Sequence, residues 1–240
     1  MQYARAFLFS LALGLVMLSP GVAQEESTPK SVKSAKSEQD AKPEPYRDFS
    51  ALLKGFSKIK TLSVKFREEK QIEFLLEPLK SSGMIYFDAR GERLSRHTKK
   101  PFPSILVIAK KWVGILEDSL WEVADLDRQP VIMQIVSSFL KLLSGDRKGL
   151  EQIFDVSFTP ATEAGVDWKI RLKPRIEPIN KIIKTITFHG QGLAVNSMKL
   201  LEVSGDETVT KFSSQVLDAS FTKKGLVKFF PTPEKKDDQE

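Results

Sequence analysis

The sequence predicts a mainly β protein with helices (α+β): an open, strongly curved antiparallel β-barrel or half-barrel covered by a helical lid. Three observations carry this expectation. About ten short stretches that read as strands, several alternating apolar with polar residues, recur at hairpin spacing. Helical periodicity is confined to the start of the folded part and to its middle. The middle helix is apolar over far more than one face.

The chain opens with the pattern of a secretory signal. Arg5 is followed by an apolar run from Ala6 to Leu18, and Gly21 and Ala23 are the small residues expected before a cut. Residues 1–23 are therefore expected to be a cleaved signal peptide and the mature protein soluble. Residues 24–45 are Glu, Ser, Lys and Pro with almost no apolar side chains, and are expected to form a disordered tether. The folded domain is expected over 46–231, with a charged tail at 232–240.

The domain opens on Tyr46–Lys60, where Phe49, Leu52, Leu53, Phe56 and Ile59 recur at helical spacing. Thr61–Arg67 reads as a half-buried strand, because Leu62, Val64 and Phe66 alternate with Ser63, Lys65 and Arg67. Gly83–Asp88 is apolar on both faces, and Arg93–Thr98 is a polar strand. Ser104–Ala109 and Trp112–Leu116 flank Lys110-Lys111 as in a hairpin, and Leu120–Asp125 leads to the middle helix. A short helix is expected over Asp146–Phe154. Strands resume at Asp155–Thr159, at the alternating Trp168, Ile170 and Leu172, and at Ile186 and Phe188. Ser197–Val203, Thr208–Ser213 and Lys228-Phe229-Phe230 complete the set.

The middle helix spans Pro130–Gly145. Pro130 suits its first position, where a missing N–H costs nothing, and Gly145 suits a left-handed stop. Ile132, Phe139 and Leu143 share the centre of one face. Val131, Ile135 and Leu142 lie to one side, and Met133, Val136 and Leu140 to the other. At 100° per residue the apolar arc covers roughly 200°, about twice what a surface helix needs. Such a helix either is buried all round, or packs on a sheet with part of its arc and meets an apolar ligand with the rest.

Composition excludes several classes of function. The chain has no cysteine and two histidines, so neither disulfides nor a zinc site of the usual spacings is expected. Lys and Arg total 37 against 31 acids; without Arg5 the balance is 36 − 31 = +5. The basic residues are dispersed and not interleaved with aromatics, so no nucleic-acid partner is expected. No nucleophile elbow, phosphate-binding loop or dinucleotide fingerprint occurs. Glu122, Asp125 and Asp127 cluster before the helix, where a solvated strand end beside a helix N-terminus is the simpler account. Neither a catalytic residue, a metal site nor a cofactor is expected, and the chain is not expected to be an enzyme. What remains is apolar: a curved sheet and an over-wide helix can enclose a cavity for a hydrophobic ligand.

The order of pieces resembles the periplasmic outer-membrane lipoprotein carrier proteins, the LolA family, over roughly residues 48–231. A helix precedes LSVKF, as the family's first helix precedes S-F-x-A-x-F. SGMIYF is similar to G-x-L-W-V, with Tyr86 at the aromatic position. KKPFPSILVIAKKWVGIL resembles the family's T-x-P-x-x-x-I-L-V-S-D-G-K-x-L-W-x-Y hairpin. LLSGD followed by LEQIFDVSF matches L-L-S-G-D and F-x-V. ITFHGQGLAVNSMKLLEVSGDETVTKFSSQ resembles the closing strands. The family's arginine after G-x-L-W-V-x falls on Ala89, one position before Arg90, and GERLSRHTKKP is more polar than the family's aromatic strand there.

The resemblance implies a periplasmic, monomeric carrier. It would take lipoprotein acyl chains from an inner-membrane lipoprotein-releasing ABC transporter and pass them to an outer-membrane receptor lipoprotein. A LolA-like binding or sensor module for another lipid or glycolipid, and a structural protein with a filled core, are the competing readings. The lipid-binding residues expected on the carrier reading are Val64, Phe66, Tyr86, Leu94, Leu106, Ile108 and Ile115 from the strands. From the helix they are Ile132, Ile135, Phe139, Leu142 and Leu143.

Overall fold

A computed structural model describes residues 46–161 and 167–233. The expected signal, the tether and residues 234–240 of the tail lie outside them. Eleven antiparallel strands form one sheet: β1 (Thr61–Gln71), β2 (Leu79–Asp88), β3 (Arg93–Lys100), β4 (Ser104–Ile108), β5 (Trp112–Glu117), β6 (Leu120–Asp125), β7 (Phe154–Thr159), β8 (Trp168–Pro174), β9 (Ile183–Gln191), β10 (Ala194–Glu202) and β11 (Glu207–Leu217). The order across the sheet is β6-β5-β4-β3-β2-β1-β11-β10-β9-β8-β7. The chain thus enters at the centre, meanders out to one edge, crosses to the other edge, and meanders back to pair β11 with β1. The expected open, curved antiparallel sheet with helices is the observed fold.

Among the described residues, four helices accompany it. Helix α1 (Phe49–Phe56) is capped by Asp48, whose carboxylate accepts from the Ala51 amide. Helix α2 (Pro130–Ser144) starts on Pro130 and stops at Gly145, which takes φ 77° as a left-handed C-cap. Helix α3 (Arg147–Ile153) is capped by Asp146, whose carboxylate accepts from the Gly149 amide. Helix α4 (Lys223–Phe229) is capped by the Thr222 hydroxyl, which accepts from the Gly225 amide.

Helix α4 corrects one sequence expectation: Lys228, Phe229 and Phe230 do not form a strand. The cap at Thr222 starts a helix instead, and Phe229 then stacks on Tyr86 with ring centroids 4.2 Å apart. Strand β1 also runs four residues beyond the expected Arg67. Its second half pairs with both neighbours, out to Lys70 opposite Leu79 and Gln71 opposite Glu207. The register with β11 shifts between Ser63 and Lys65, and Ser214 on the facing strand takes φ 50°. A bulge there bends the middle of the sheet.

The core has two parts. The larger joins α1, α2 and α3 to the inner faces of β7–β10, around Phe56, Leu150, Trp168, Ile170 and Phe188. The smaller joins α2 to β4 and β5, around Leu106, Ile108, Val113, Leu126, Ile132 and Val136. Gly190 shows why a small residue is needed inside the larger cluster. A Cβ there would stand 2.4 Å from the Trp168 ring and 2.2 Å from the Ala194 carbonyl oxygen.

Candidate functional site

In a pleated sheet, residues directly opposite one another share a face. Starting from β1, one face therefore carries Val64, Phe66, Glu68 and Lys70. It continues through Ile85 on β2, Leu94 and Arg96 on β3, Leu106 and Ile108 on β4, and Val113 and Ile115 on β5. In the other direction it runs through Phe212 on β11, Met198 on β10, Phe188 on β9 and Ile170 on β8. Both core clusters lie on this face, so it is the inner, concave one.

Among the described residues, one connection spans the concave face. After β6 the chain passes through a 3-10 turn at Leu126–Arg128, then α2 and α3, and enters β7 at the opposite edge. The over-wide apolar arc of α2 is explained by this crossing. One flank, Val131, Ile135 and Leu142, packs with the larger cluster. The other, Met133, Val136 and Leu140, packs with the smaller. At the arc's centre, Ile132 joins the smaller cluster and Phe139 meets Phe188 edge-on at 6.0 Å. Leu143, half-buried, belongs to neither. Gln134 ties the helix to the β8–β9 loop: its amide nitrogen donates to the Glu177 carbonyl, and its oxygen accepts from the Ile179 amide.

The middle of the concave face, on β1, β2 and β11, differs from its flanks. Val64, Phe66, Ile85 and Phe212 stand there, and none belongs to either cluster. Phe66 lies opposite Gly83, where a Cβ would come 3.0 Å from the Phe66 ring. The Arg96 guanidinium covers the same ring at 4.3 Å from its centroid.

Beyond this apolar strip, toward the β1–β2 turn, the face becomes a belt of buried charges and hydroxyls. Arg96 donates to Glu68 at 2.8 Å, and both side chains are 7% exposed. The second Glu68 oxygen accepts from the Thr210 hydroxyl, and Ser81 joins both partners. Lys70 donates to Glu202 at 2.7 Å and lies 3.8 Å from Asp206. A shallow hollow of about 470 Å³ lies elsewhere, near α3 and the β8–β9 loop; of its lining residues Lys148, Glu151, Gln152, Arg175 and Ile176, only the last is apolar.

Of the expected lipid-binding residues, the fold brings eleven to the concave face or the helix over it: Val64, Phe66, Leu94, Leu106, Ile108, Ile115, Ile132, Ile135, Phe139, Leu142 and Leu143. Tyr86 is not brought with them. It pairs with Ser63 and Ser95, one step out of phase with Val64 and Ile85, so its ring lies on the convex face. There it stacks on Phe229 and meets Phe221 and His97 edge-on. Burial beneath α4 raises its pKa. The Ser95 hydroxyl donates to the Phe229 carbonyl, and His97 Nε2 lies 2.9 Å from the same oxygen. Burial, aided by the charges of Lys228 and Lys99, holds the His97 pKa below the usual imidazole value, against the raising effect of that hydrogen bond.

Sequence reasoning missed Ile85, Phe212 and the buried charges. The signal was present in β1, where Glu68 and Lys70 continue the even-numbered inward positions of Val64 and Phe66. Among the described residues, no cluster of side chains suits a metal ion, and no helix is long and apolar enough to cross a membrane.

The family model described as outer membrane lipoprotein carrier protein LolA matches residues 57–226. No curated protein matches. Among solved structures, the MucA/MucB complex of Pseudomonas aeruginosa matches at 15% identity and TM-score 0.44, over 74% of this chain and 59% of that one. The chain thus spans less than two thirds of that relative's length. A LolA superfamily protein from Nitrosomonas europaea matches at 10% identity and TM-score 0.36, over 72% of this chain and 97% of that one. Lipoprotein LppX of Mycobacterium tuberculosis matches at 10% identity and TM-score 0.39, over 70% and 96%.

Proposed function

Because the chain belongs to the LolA family of outer membrane lipoprotein carrier proteins, we propose that it is a non-enzymatic periplasmic carrier that holds lipoprotein acyl chains on its concave face, beneath α2. It would receive them from an inner-membrane transporter and deliver them to an outer-membrane receptor. The observation that carries this reading is the division of α2 between two clusters, with Val64, Phe66, Ile85 and Phe212 between them in neither. An acyl chain laid along that strip would touch Val64 and Phe66 below and Leu143 and Phe139 above. Leu94, Leu106, Ile108 and Ile115 extend the strip on one side.

A carrier must grip and also release. Each buried acyl CH₂ contributes about 0.8 kcal/mol. Here that gain is partly offset, because the chain must displace contacts that α2 already makes with the sheet. The exchange of helix–sheet for chain–sheet contacts leaves a modest net affinity, which suits a hand-over. Gln134, which holds α2 to the β8–β9 loop, would act as the tie that yields.

A second reading has one observation in its favour. The strip ends in buried Glu68, Arg96 and Lys70 and half-buried Glu202, which suits a lipid with a polar head, such as a glycolipid, better than bare acyl chains. Mass spectrometry of ligand extracted from protein purified out of the periplasm separates the two. Acylated peptide is expected. Free lipid or glycolipid supports the second reading, and an empty protein removes both.

A further inference from the structure

We propose that one end of the sheet is a bilayer-docking edge, whose apolar loop tips enter the headgroup region of a zwitterionic lipid surface. This goes beyond the carrier reading and does not depend on which cargo is held. It starts from strand direction. In the antiparallel order observed, the β1–β2, β3–β4, β5–β6, β8–β9 and β10–β11 connections all fall at one end of the sheet. Gln71 opposite Glu207 fixes that the β1–β2 and β10–β11 ends coincide.

Among the described residues, ten large hydrophobic side chains are exposed, and seven of them are on these five connections or their first residues. The β1–β2 turn presents three in succession: Phe74 at 90% exposure, Leu75 at 40%, and Leu76 fully exposed. Phe102 stands on the β3–β4 loop and Leu120 follows the β5–β6 turn. Ile176 and Val203 stand on the β8–β9 and β10–β11 loops. The remaining three are single valines, on β6, β11 and α4. At the opposite end the described connections offer Ala89-Arg90-Gly91-Glu92, Ala109-Lys110-Lys111 and Gly192-Leu193, with no exposed large hydrophobic side chain.

Exposed apolar surface concentrated at one end marks an interaction site. Its form selects the partner. The tips stand on five separate connections along an edge, not in one groove. A protein partner would need a matched pocket for each, whereas a fluid interface accepts separate tips. Charges of both signs flank them: Glu73, Glu77 and Glu177 among the acids, Lys99, Lys100 and Lys181 among the bases. That balance suits zwitterionic headgroups and gives no pull toward an anionic surface. The buried belt of Glu68, Arg96 and Lys70 lies at the same end, so the docked edge would bring the mouth of the concave face to the headgroup layer.

The test is flotation of the purified protein with phosphatidylcholine vesicles. The protein is expected to float with them equally at about 0.05 M and about 0.5 M salt, since screening acts on charges and not on apolar insertion. The triple variant F74S/L75S/L76S is expected to lose at least about tenfold in partition, as three large apolar groups stay in water. Its melting temperature should stay unchanged, because these side chains are exposed. The single variant Leu76→Ser keeps the test valid if the triple misfolds, and should show a smaller loss. Absence of flotation, loss of it in high salt, or equal flotation of a folded variant would overturn the proposal. So would wild-type protein that ignores vesicles but retains a protein partner through these three residues. Because the ligand extracted from the protein reports the concave face separately, failure of the carrier reading would leave the vesicle result standing, and the reverse.

Discussion

Glu68 and Arg96 are the side chains whose separation the fold should feel most. Both are buried and hydrogen-bonded to each other, and Thr210 and Ser81 complete the set. Glu68→Ala strands a buried guanidinium, and a loss of ~3–5 kcal/mol in urea unfolding is expected. Replacing both, as Glu68→Leu with Arg96→Met, should restore most of that loss, because a packed apolar pair carries no desolvation cost. If the double variant is as unstable as the single, the pair is doing more than neutralising itself. His97 makes a different prediction. Its folded pKa lies below the unfolded value of about 6.5, so the unfolded chain takes the proton first as pH falls. The stability it contributes is complete above about pH 6.5 and is lost as pH drops through the folded pKa. Melting should therefore fall between pH ~7.5 and pH ~5, and fall less in His97→Gln; an equal fall in both assigns the effect to other groups. At this scale the sequence was legible where polarity and position agree, as at Leu62, Val64 and Phe66. It was misleading where a charge points inward with its partner on a distant strand, since Glu68 is 28 residues from Arg96.

Helix α2 was the most legible element, because Pro130 and Gly145 mark its limits and periodicity fills the span. What periodicity could not tell is why its arc is so wide, since two clusters on different strands share it. Alanine substitutions along the helix should therefore fall into two classes. Ile132→Ala, Ile135→Ala and Leu142→Ala remove buried side chains and should each cost ~2–5 kcal/mol. Leu143→Ala should cost less than about 1 kcal/mol, yet weaken bis-ANS binding, because Leu143 is half-buried and outside both clusters. A uniform loss of stability, with probe binding intact, would make α2 ordinary core. Helix α4 was illegible for an opposite reason. Phe229-Phe230 followed by Pro231 reads locally as a strand end, and the cap at Thr222 lies seven residues upstream of Phe229 in a stretch with no buried helical residue. The ring of Tyr86, which gives α4 its seat, is more than a hundred residues away in sequence.

At the scale of the whole molecule, the domain is expected to fold without residues 24–44. Their composition offers little apolar surface to bury, so a chain beginning at Pro45 should melt within about 3 °C of one beginning at Gln24. A much lower melting temperature would show that those residues pack on the domain. The fold class could be read in advance because hairpin spacing is a local property. The strand order could not, since it turns on one long-range pairing. That pairing has a consequence for how the protein is made. Strands β1–β6 and β7–β11 are each a run of neighbours that can zip locally, whereas β1 meets β11 across a gap such as the 142 residues between Glu68 and Thr210. Joining that seam is the entropically slow event, and it follows translation of nearly the entire domain. Until then two raw strand edges, one of them carrying Val64 and Phe66, stand open to pairing with other chains. A newly made polypeptide of this kind therefore has a vulnerable interval set by its topology, and substitutions along the seam should lengthen that interval more than equally costly ones at the outer edges.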